Sequence, residues 1–317
     1  MAAGEVIWSP TGESVAAANL TAYMAWLAEH RGLEFEDYHA LWEWSTTDLE
    51  GFWASIWDYT GVIAAEPYER VLGTKSMPGA EWFPGARLNH AENVFDGHAD
   101  DEVAIVFASE AEGPREISWG ELRARVAAAA AGLRRIGVEP GDRVVAYLPN
   151  VPEAVIAFLA TASLGAIWSS CSPDFGTRTV VDRFAQIRPK VLIGVDGYRY
   201  GGKEFDRREV LADLAAEIDS LTCTVVLPSL DPAPPRVLPP HTLSWNDLLD
   251  GPAPGPLTFE PRDFSDPLWV LYSSGTTGLP KAIVQSHGGI LLEHLKTHNL
   301  HLDLHPGDRY LWFTTTG

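Results

Sequence analysis

The sequence predicts an α/β protein with a doubly wound, mostly parallel sheet, preceded by a small helical N-terminal cap. Three observations support this fold class. Apolar residues recur at helical spacing near the N-terminus, and seven of the 12 tryptophans fall within the first 82 residues. From residue 103 onward, short apolar runs alternate with single helical segments. Strands that are separated by one helix each pair in parallel within one sheet.

The N-terminal cap is predicted to contain three helices. Their patterns cover residues 14–30, 37–44 and 48–59. Gly32 follows the first helix as a stop signal, and Thr47 or Asp48 is suited to cap the third. Four tryptophans are expected to pack in the core of the cap rather than to form a stacking platform for a ligand. They are Trp42, Trp44, Trp53 and Trp57.

The alternating part begins with two strands and a long alanine-rich helix, for which Ser118 and Glu121 form a capping-box pattern. The predicted strands are residues 103–107, 116–118, 143–148, 166–169, 191–195 and 223–227. The predicted helices are residues 119–136, 152–164, 177–186, 207–219 and 245–249. Residues 228–240 contain six prolines and are expected to form a surface connection within the same domain.

Composition excludes several classes of function. The net charge of −20 argues against nucleic acids or anionic membranes as the main partners, because both are negatively charged. Two cysteines are too few for a disulfide framework, and Cys171 is expected to be a buried thiol rather than a nucleophile. The sequence shows neither a run of about 20 apolar residues nor a signal peptide. We therefore expect a cytoplasmic protein.

The most informative stretch is the polar turn at residues 273–281. Apolar runs at residues 268–272 and 282–284 predict a strand on each side of it. The turn contains four hydroxyl side chains, two glycines and Lys281 within nine residues. Glycine allows close backbone approach, and amide, hydroxyl and ammonium groups together form an anion site. The pattern predicts a polyphosphate-binding loop.

The turn resembles the phosphate loop of the adenylate-forming superfamily, which includes acyl-CoA synthetases, adenylation domains and luciferases. It is not a Walker A loop, because the required glycine–lysine spacing is absent. The resemblance implies that the loop holds the β- and γ-phosphates of ATP while a carboxylate attacks the α-phosphate. The residues that inherit this role are Ser273, Ser274, Gly275, Thr276, Thr277, Gly278 and Lys281. Among them, Lys281 and Thr276 are the implied catalytic residues.

A second glycine-containing segment, residues 197–203, follows a predicted strand. Its glycine–lysine spacing matches that of a Walker A loop, but Glu204 occupies the position where Ser or Thr would bind magnesium. In acyl-CoA synthetases of the acetate type, the corresponding loop contacts the phosphates of coenzyme A. By that resemblance the coenzyme A candidates are Arg199, Tyr200, Gly201, Gly202 and Lys203. A solvent loop is the alternative, since the family more often has a basic residue at the position of Tyr200.

Histidines form a further set of candidates. His287 follows the phosphate loop and opens a predicted helix, and the resemblance implies that it lines the acyl or nucleotide pocket. His294 and His298 have the spacing of metal ligands, but the glutamate of a zinc-peptidase motif is missing between them. We therefore expect no metal bound directly by these residues.

Two motifs narrow the resemblance to one group of acyl-CoA synthetases. Leu88, Asn89 and Asn93 form a segment that is similar to one in acetyl- and acetoacetyl-CoA synthetases. Residues 165–176 and the residues after Lys281 resemble acetoacetyl-CoA synthetases more closely. The implied activity is a ligase of lipid metabolism that joins acetoacetate to coenzyme A through an acyl-adenylate, with ATP and Mg²⁺. Acetyl- or propionyl-CoA synthetase is the alternative.

The predicted domains are residues 1–95, a helical, tryptophan-rich cap, and residues 96–317, an AMP-binding large domain that is incomplete at its C-terminal end. The adenine, ribose and hinge motifs of the superfamily have no counterpart in the sequence. We therefore expect that the chain does not complete the ligation alone. The rival hypothesis is a non-catalytic nucleotide-binding chain that a second polypeptide completes.

Overall fold

A computed structural model of the protein describes residues 4, 6–230, 241–273 and 278–316. The chain forms two compact units. The smaller unit contains Met1–Val62, Tyr68–Gly85 and Gly289–Trp312, and the larger contains Ile63–Pro67, Ala86–Gly288 and Phe313–Gly317. No helix within the described ranges is both long enough and apolar enough to cross a membrane. The prolines at residues 231–240 lie outside the described residues.

The smaller unit begins with four helices. They are α1 (Gly12–Ala17), α2 (Asn19–Arg31), α3 (Tyr38–Thr47) and α4 (Leu49–Tyr59). The single helix predicted over residues 14–30 is therefore wrong in one respect, because Ala18 is extended and divides it in two. Asp37 and Asp48 cap α3 and α4, since their carboxylates accept the backbone N–H groups of Ala40 and Gly51.

Aromatic packing in the smaller unit confirms only part of the predicted tryptophan core. Trp57 is buried and stacks on Phe83 at a centroid distance of 5.0 Å. Trp53 contacts Trp82 edge to face at 6.2 Å. Trp42 is 55% exposed, so its inclusion in the core was wrong.

The larger unit contains all the strands found within the described residues. They are β1 (Arg87–Leu88), β2 (Val103–Phe107), β3 (Arg115–Ser118), β4 (Arg143–Tyr147), β5 (Ile167–Cys171), β6 (Val191–Val195), β7 (Gly197–Tyr200), β8 (Lys203–Asp206), β9 (Cys223–Leu227), β10 (Thr242–Ser244), β11 (Arg262–Asp263), β12 (Pro267–Ser273) and β13 (Lys281–Ser286). The helices that follow in chain order are α5 (His90–Phe95), α6 (Trp119–Arg135), α7 (Pro152–Ser163), α8 (Thr177–Ile187), α9 (Arg208–Glu217), α10 (Trp245–Leu249) and α11 (His287–Lys296). A π-helical turn, Thr297–His301, follows α11.

Seven strands form one sheet in the order β10-β9-β6-β4-β5-β12-β13, and only β13 is antiparallel to its neighbour. The predicted doubly wound, mostly parallel sheet is confirmed. The strands predicted at residues 103–107 and 116–118 instead form a separate two-stranded hairpin, β2–β3. A second hairpin, β7–β8, was not predicted as strands.

The strand order places helices on both faces of the sheet. The connection through α7 runs from β4 to β5, whereas the connection through α8 runs back past β4 to β6. Because such crossovers are right-handed, α7 and α8 cover opposite faces. All five residues of β6 are buried, as expected for a strand that is covered on both sides. The order reverses between β4 and β6, which is where ligands bind in open α/β sheets.

Two asparagines of the Leu-Asn-x-x-x-Asn segment fasten distant parts of the larger unit. Asn89 caps α5 through Ala91, and its amide nitrogen donates to the carbonyls of Ala162 (2.9 Å) and Glu260 (2.8 Å). Asn93 exchanges two hydrogen bonds with the backbone of Ile63. This motif therefore has a structural role.

We expect Asn89→Ala to destabilise the protein by about 2–4 kcal/mol, because two backbone carbonyls and one helix N–H lose their partner at a fully buried position. The measurement is the free energy of unfolding in urea. Asn246→Ala is the control, since Asn246 is exposed on α10. Equal unfolding free energies for the two variants would contradict the fastening role.

Candidate functional site at the carboxyl edge of the sheet

The loops that contain the candidate binding residues leave the same edge of the sheet. Strands β4, β5, β6 and β12 are parallel, so their carboxyl ends lie together. A cavity of about 770 Å³ opens at this edge. Its walls are formed by the β2–β3 loop, the segments after β4, β5 and β9, part of β7, and residues 315–316. The position agrees with the strand-order reversal between β4 and β6.

The predicted phosphate loop joins β12 to β13, which confirms that it lies between two strands. Ser273 and Lys281 are directly opposite each other in the antiparallel register. The pairing thus brings the first hydroxyl and the lysine of the motif together at the base of the loop. Gly278 has a φ of +93°, a backbone conformation that favours glycine. Four predicted residues lie outside the described residues, namely Ser274, Gly275, Thr276 and Thr277.

Hydrogen bonds fix the base of this hairpin to its neighbours. Ser169 Oγ donates to the carbonyl of Val270 at 2.7 Å, and the Tyr272 hydroxyl donates to the carbonyl of Arg183 at 2.7 Å. On the other side of the loop, Gln186 Nε2 donates to the carbonyl of Pro280 at 3.1 Å. Burial raises the pKa of Tyr272 to about 12, so its hydroxyl remains a donor at neutral pH. Strand β5 and helix α8 therefore position the loop.

His287 lies at the opposite end of β13 from the phosphate loop. It follows the last residue of β13, and its N–H donates to the carbonyl of Asp266 at 2.9 Å. Lys281 begins the same strand, so six residues of extended chain separate the two by about 20 Å. The order along the chain suggested proximity, but β13 runs back to the opposite edge of the sheet. A direct contact between His287 and ATP stays a prediction that this placement does not support.

The surroundings of His287 define its protonation state. The ring is fully buried, and Nδ1 accepts the backbone N–H of His90 at 3.3 Å. Burial, and secondarily Arg262, lowers the pKa of His287 to about 3. The ring is therefore neutral with its proton on Nε2, which has no hydrogen-bond partner within the described residues. At the next position, a Cβ on Gly288 would lie 2.0 Å from the Phe264 ring, so only glycine fits there.

The coenzyme A candidates form the β7–β8 hairpin. Its turn is made by Gly201 and Gly202, whose φ values are +60° and +71°. Arg199 donates to Glu204 Oε1 at 2.7 and 3.0 Å, and Tyr200 is 71% exposed. Lys203 makes no ion pair within the parts of the chain that are described. The segment is therefore a β-hairpin whose turn is exposed to solvent.

The structure adds Glu110, a residue that sequence reasoning did not find. It belongs to the β2–β3 loop, and its two carboxylate oxygens accept the N–H groups of Gly201 (2.8 Å) and Gly202 (2.9 Å). These hydrogen bonds hold the pKa of the Glu110 carboxyl below its ordinary value. Glu110 and the turn are 91 residues apart, so no local pattern indicated the contact.

A polar network joins the β7–β8 hairpin to the segment after β5. The Tyr198 hydroxyl donates to Asp174, which also accepts a hydrogen bond from Ser172 at 3.0 Å. Arg207 donates to the carbonyl of Pro173 at 2.7 Å and to the Tyr198 oxygen at 3.2 Å. The network therefore fixes two walls of the cavity relative to each other.

Other chemistry considered from sequence has little support at this edge. Cys171 is buried, as predicted, and burial raises the pKa of its thiol to about 12. Within the described residues, no three His, Cys, Asp or Glu side chains are arranged to hold a metal ion.

Comparison with known families agrees with these observations. Residues 92–317 match the family described as AMP-binding enzyme, and residues 38–94 match the acetyl-coenzyme A synthetase N-terminus. The first match covers more than half of the chain. The chain therefore belongs to the AMP-binding enzyme family.

Individual relatives of the chain have more specific names than the family. The chain is 42% identical to the acetoacetyl-coenzyme A synthetase of Rhizobium meliloti and 40% identical to the acetoacetyl-CoA synthetase of Gallus gallus, over 100% and 99% of its length. The acetoacetyl-CoA synthetase structure from Streptomyces lividans superposes with a TM-score of 0.93 at 50% identity over 99% of the chain. In each case the matched region is 48% of the relative, so the chain spans about half the length of these proteins.

We expect His287 to make the free energy of unfolding decrease more steeply as the pH is lowered from ~6.5 to ~3. Its folded-state pKa of about 3 lies below the ordinary value of 6.5, so the unfolded chain binds the proton first as the pH falls. The resulting destabilisation is absent above pH ~6.5, reaches about 2 kcal/mol at pH ~5 and grows until pH ~3. The measurement is the unfolding free energy of the protein and of His287→Gln between these values. The variant should lose this part of the slope, whereas exposed His39→Gln should keep it.

Proposed function

We propose that this chain serves the ATP-dependent ligation of acetoacetate to coenzyme A through an acetoacetyl-adenylate. The observation that supports the substrate most directly is the similarity to acetoacetyl-CoA synthetases along essentially the whole chain. The acid attacks the α-phosphate of ATP and releases pyrophosphate. The thiol of coenzyme A then attacks the acyl carbonyl, and AMP leaves.

The phosphate loop is assigned to the first step. Ser273 and Lys281, paired at its base, donate to the β- and γ-phosphates together with the intervening hydroxyl and amide groups. The proposed set is Ser273, Ser274, Gly275, Thr276, Thr277, Gly278 and Lys281, with Lys281 and Thr276 in contact with the reacting phosphates. These donors neutralise the charge that develops on the leaving pyrophosphate. Mg²⁺ is expected to arrive with ATP.

The β7–β8 hairpin is assigned to coenzyme A. Its turn presents two amide N–H groups, and Arg199 and Lys203 lie on either side of the turn. Backbone amides and cationic side chains are the groups that bind phosphate esters. Exposed Tyr200 between them offers an aromatic surface for the adenine.

Another relative supports a class of acids rather than acetate. The chain is 34% identical to a malonamoyl-CoA synthetase of Penicillium aethiopicum. Acetoacetate and malonamate both carry a carbonyl group two carbons from the carboxylate, a feature that acetate and propionate lack. The match to the acetyl-coenzyme A synthetase N-terminus favours the alternative acids, although it concerns residues 38–94 only.

The relatives also bear on how the chain operates. Each carries the matched region and its remaining length in one polypeptide, so the comparisons give no support for a separate partner chain.

Both cysteines are unpaired and buried, which is consistent with our proposal of a cytoplasmic location.

A chimera tests the substrate. Residues 1–317 are joined to the part of the Streptomyces lividans enzyme outside the matched region, and acid-dependent formation of AMP is measured with coenzyme A. We expect the highest kcat/KM with acetoacetate and lower values with acetate, propionate and butyrate. The unmodified Streptomyces enzyme is the control for the assay. A chimera that prefers acetate or propionate would contradict the proposal.

We expect Lys281→Ala to lower kcat in this chimera by about 10²–10³-fold, because one cationic donor to the leaving pyrophosphate is lost. ATP–pyrophosphate exchange with acetoacetate measures the affected step directly. Lys75→Ala removes the same charge from an exposed position of the smaller unit and should leave the rate unchanged. A lysine variant with full exchange activity would remove Lys281 from the proposed site.

A further inference from the structure

The turn of the β7–β8 hairpin already holds an anion that belongs to this chain. Glu110 places one carboxylate oxygen on the amide of Gly201 and the other on the amide of Gly202. We propose that Glu110 is an internal ligand of this turn, and that a phosphate group of coenzyme A must displace it in order to bind. The inference rests on the proposed assignment of the hairpin to coenzyme A.

The geometry of the turn is that of an anion site. Both glycines have positive φ values, which directs two successive N–H groups toward the same side. A carboxylate and a phosphate each present two oxygens to such a pair of donors. Glu110 therefore occupies the donors that a phosphate requires, and the two anions compete for them.

The loop that carries Glu110 is suited to present it. Ser109 closes a local turn by accepting the N–H groups of Ala111 and Glu112 at 3.2 Å each. Arg115 donates to Glu112 at 3.3 Å and thereby holds the end of the same turn. These bonds are local to residues 109–115, so they do not require the Glu110 contact. Glu110 can therefore dissociate from the hairpin while the hydrogen bonds within its own loop remain.

Charges around the turn favour exchange for a more highly charged anion. With Glu110 in place, two cations (Arg199 and Lys203) are balanced by two carboxylates (Glu110 and Glu204). Removal of Glu110 leaves a net charge of +1 on residues 199–204. A phosphate monoester carries more charge than a carboxylate and gains more from the uncovered cations. The contact therefore lowers the apparent affinity of the turn for every anion by the same factor.

The size of the effect follows from competition. Only the fraction of molecules with a vacated turn binds ligand, so apparent affinity falls in proportion to that fraction. We expect Glu110→Ala to tighten binding of coenzyme A to the protein by about three- to thirtyfold. A tenfold effect, near the middle of this range, means that Glu110 occupies the turn in about 90% of the molecules without ligand. Glu110→Gln keeps one acceptor oxygen and should give an intermediate effect.

Titration calorimetry with three probes tests the inference. Coenzyme A, dephospho-coenzyme A and inorganic pyrophosphate are titrated into the protein, Glu110→Ala and Glu110→Gln. Comparing the first two probes shows whether the terminal phosphate monoester is the group that meets the turn. Glu217→Ala is the charge-matched control, since Glu217 is exposed at the end of α9, and it should bind each probe like the parent protein. Unchanged or weaker binding of every probe by Glu110→Ala would overturn the proposal.

A second readout keeps the inference separate from the ligase assignment. In protein labelled with ¹⁵N-glycine, the amide signals of Gly201 and Gly202 should shift when Glu110 is removed and when a probe displaces it. One outcome is that pyrophosphate shifts both signals while coenzyme A binds to neither the parent protein nor the Glu110 variants. In that case Glu110 is an internal ligand of the turn, and the assignment of the hairpin to coenzyme A is wrong. If no probe shifts these signals although coenzyme A binds, the turn is not the phosphate site and the inference is wrong.

Discussion

The parallel pairing of β4, β5, β6 and β12 is the constraint on which the candidate sites depend. Parallel strands send all their carboxyl ends to one edge, so loops from distant parts of the sequence meet there. The strand order then reverses between β4 and β6, and the cavity opens at this edge of the sheet. Side chains that fill both faces of the sheet keep these strands in register. The position of the candidate binding loops therefore depends on the packing that buries both faces of the sheet.

In the proposed function, a chain with a net charge of −20 has to bind anionic substrates, and both proposed binding segments are hairpins. Each hairpin contains at least one glycine of positive φ and only a few cations. Backbone donors carry no net charge, so they bind phosphate without a basic surface that would attract other polyanions. The acidic surface and the anion sites are therefore compatible.

Much of this arrangement could be predicted from sequence because it rests on local signals. Buried strands such as Val191–Val195 and Cys223–Leu227 have continuous apolar runs, and Asp48 and Ser118 mark helix starts through their own side chains. The strands that flank the phosphate loop were identified in the same way. What failed were relations across space. His287 is close to Lys281 in sequence but at the far end of β13, and Glu110 reaches a turn 91 residues away. Neither relation leaves a periodic or compositional trace.

The pairing of Ser273 with Lys281 also restricts how this part of the sequence can change. Side chains alternate between the two faces of a strand, so a shift of one residue in β13 would turn Lys281 toward the opposite face. A deletion within the strand would therefore remove the lysine from the loop even though it remained in the sequence. Changes in the length of the loop itself leave that register intact, because its ends are fixed by the strands. The spacing of β13 should thus be held constant within this hairpin.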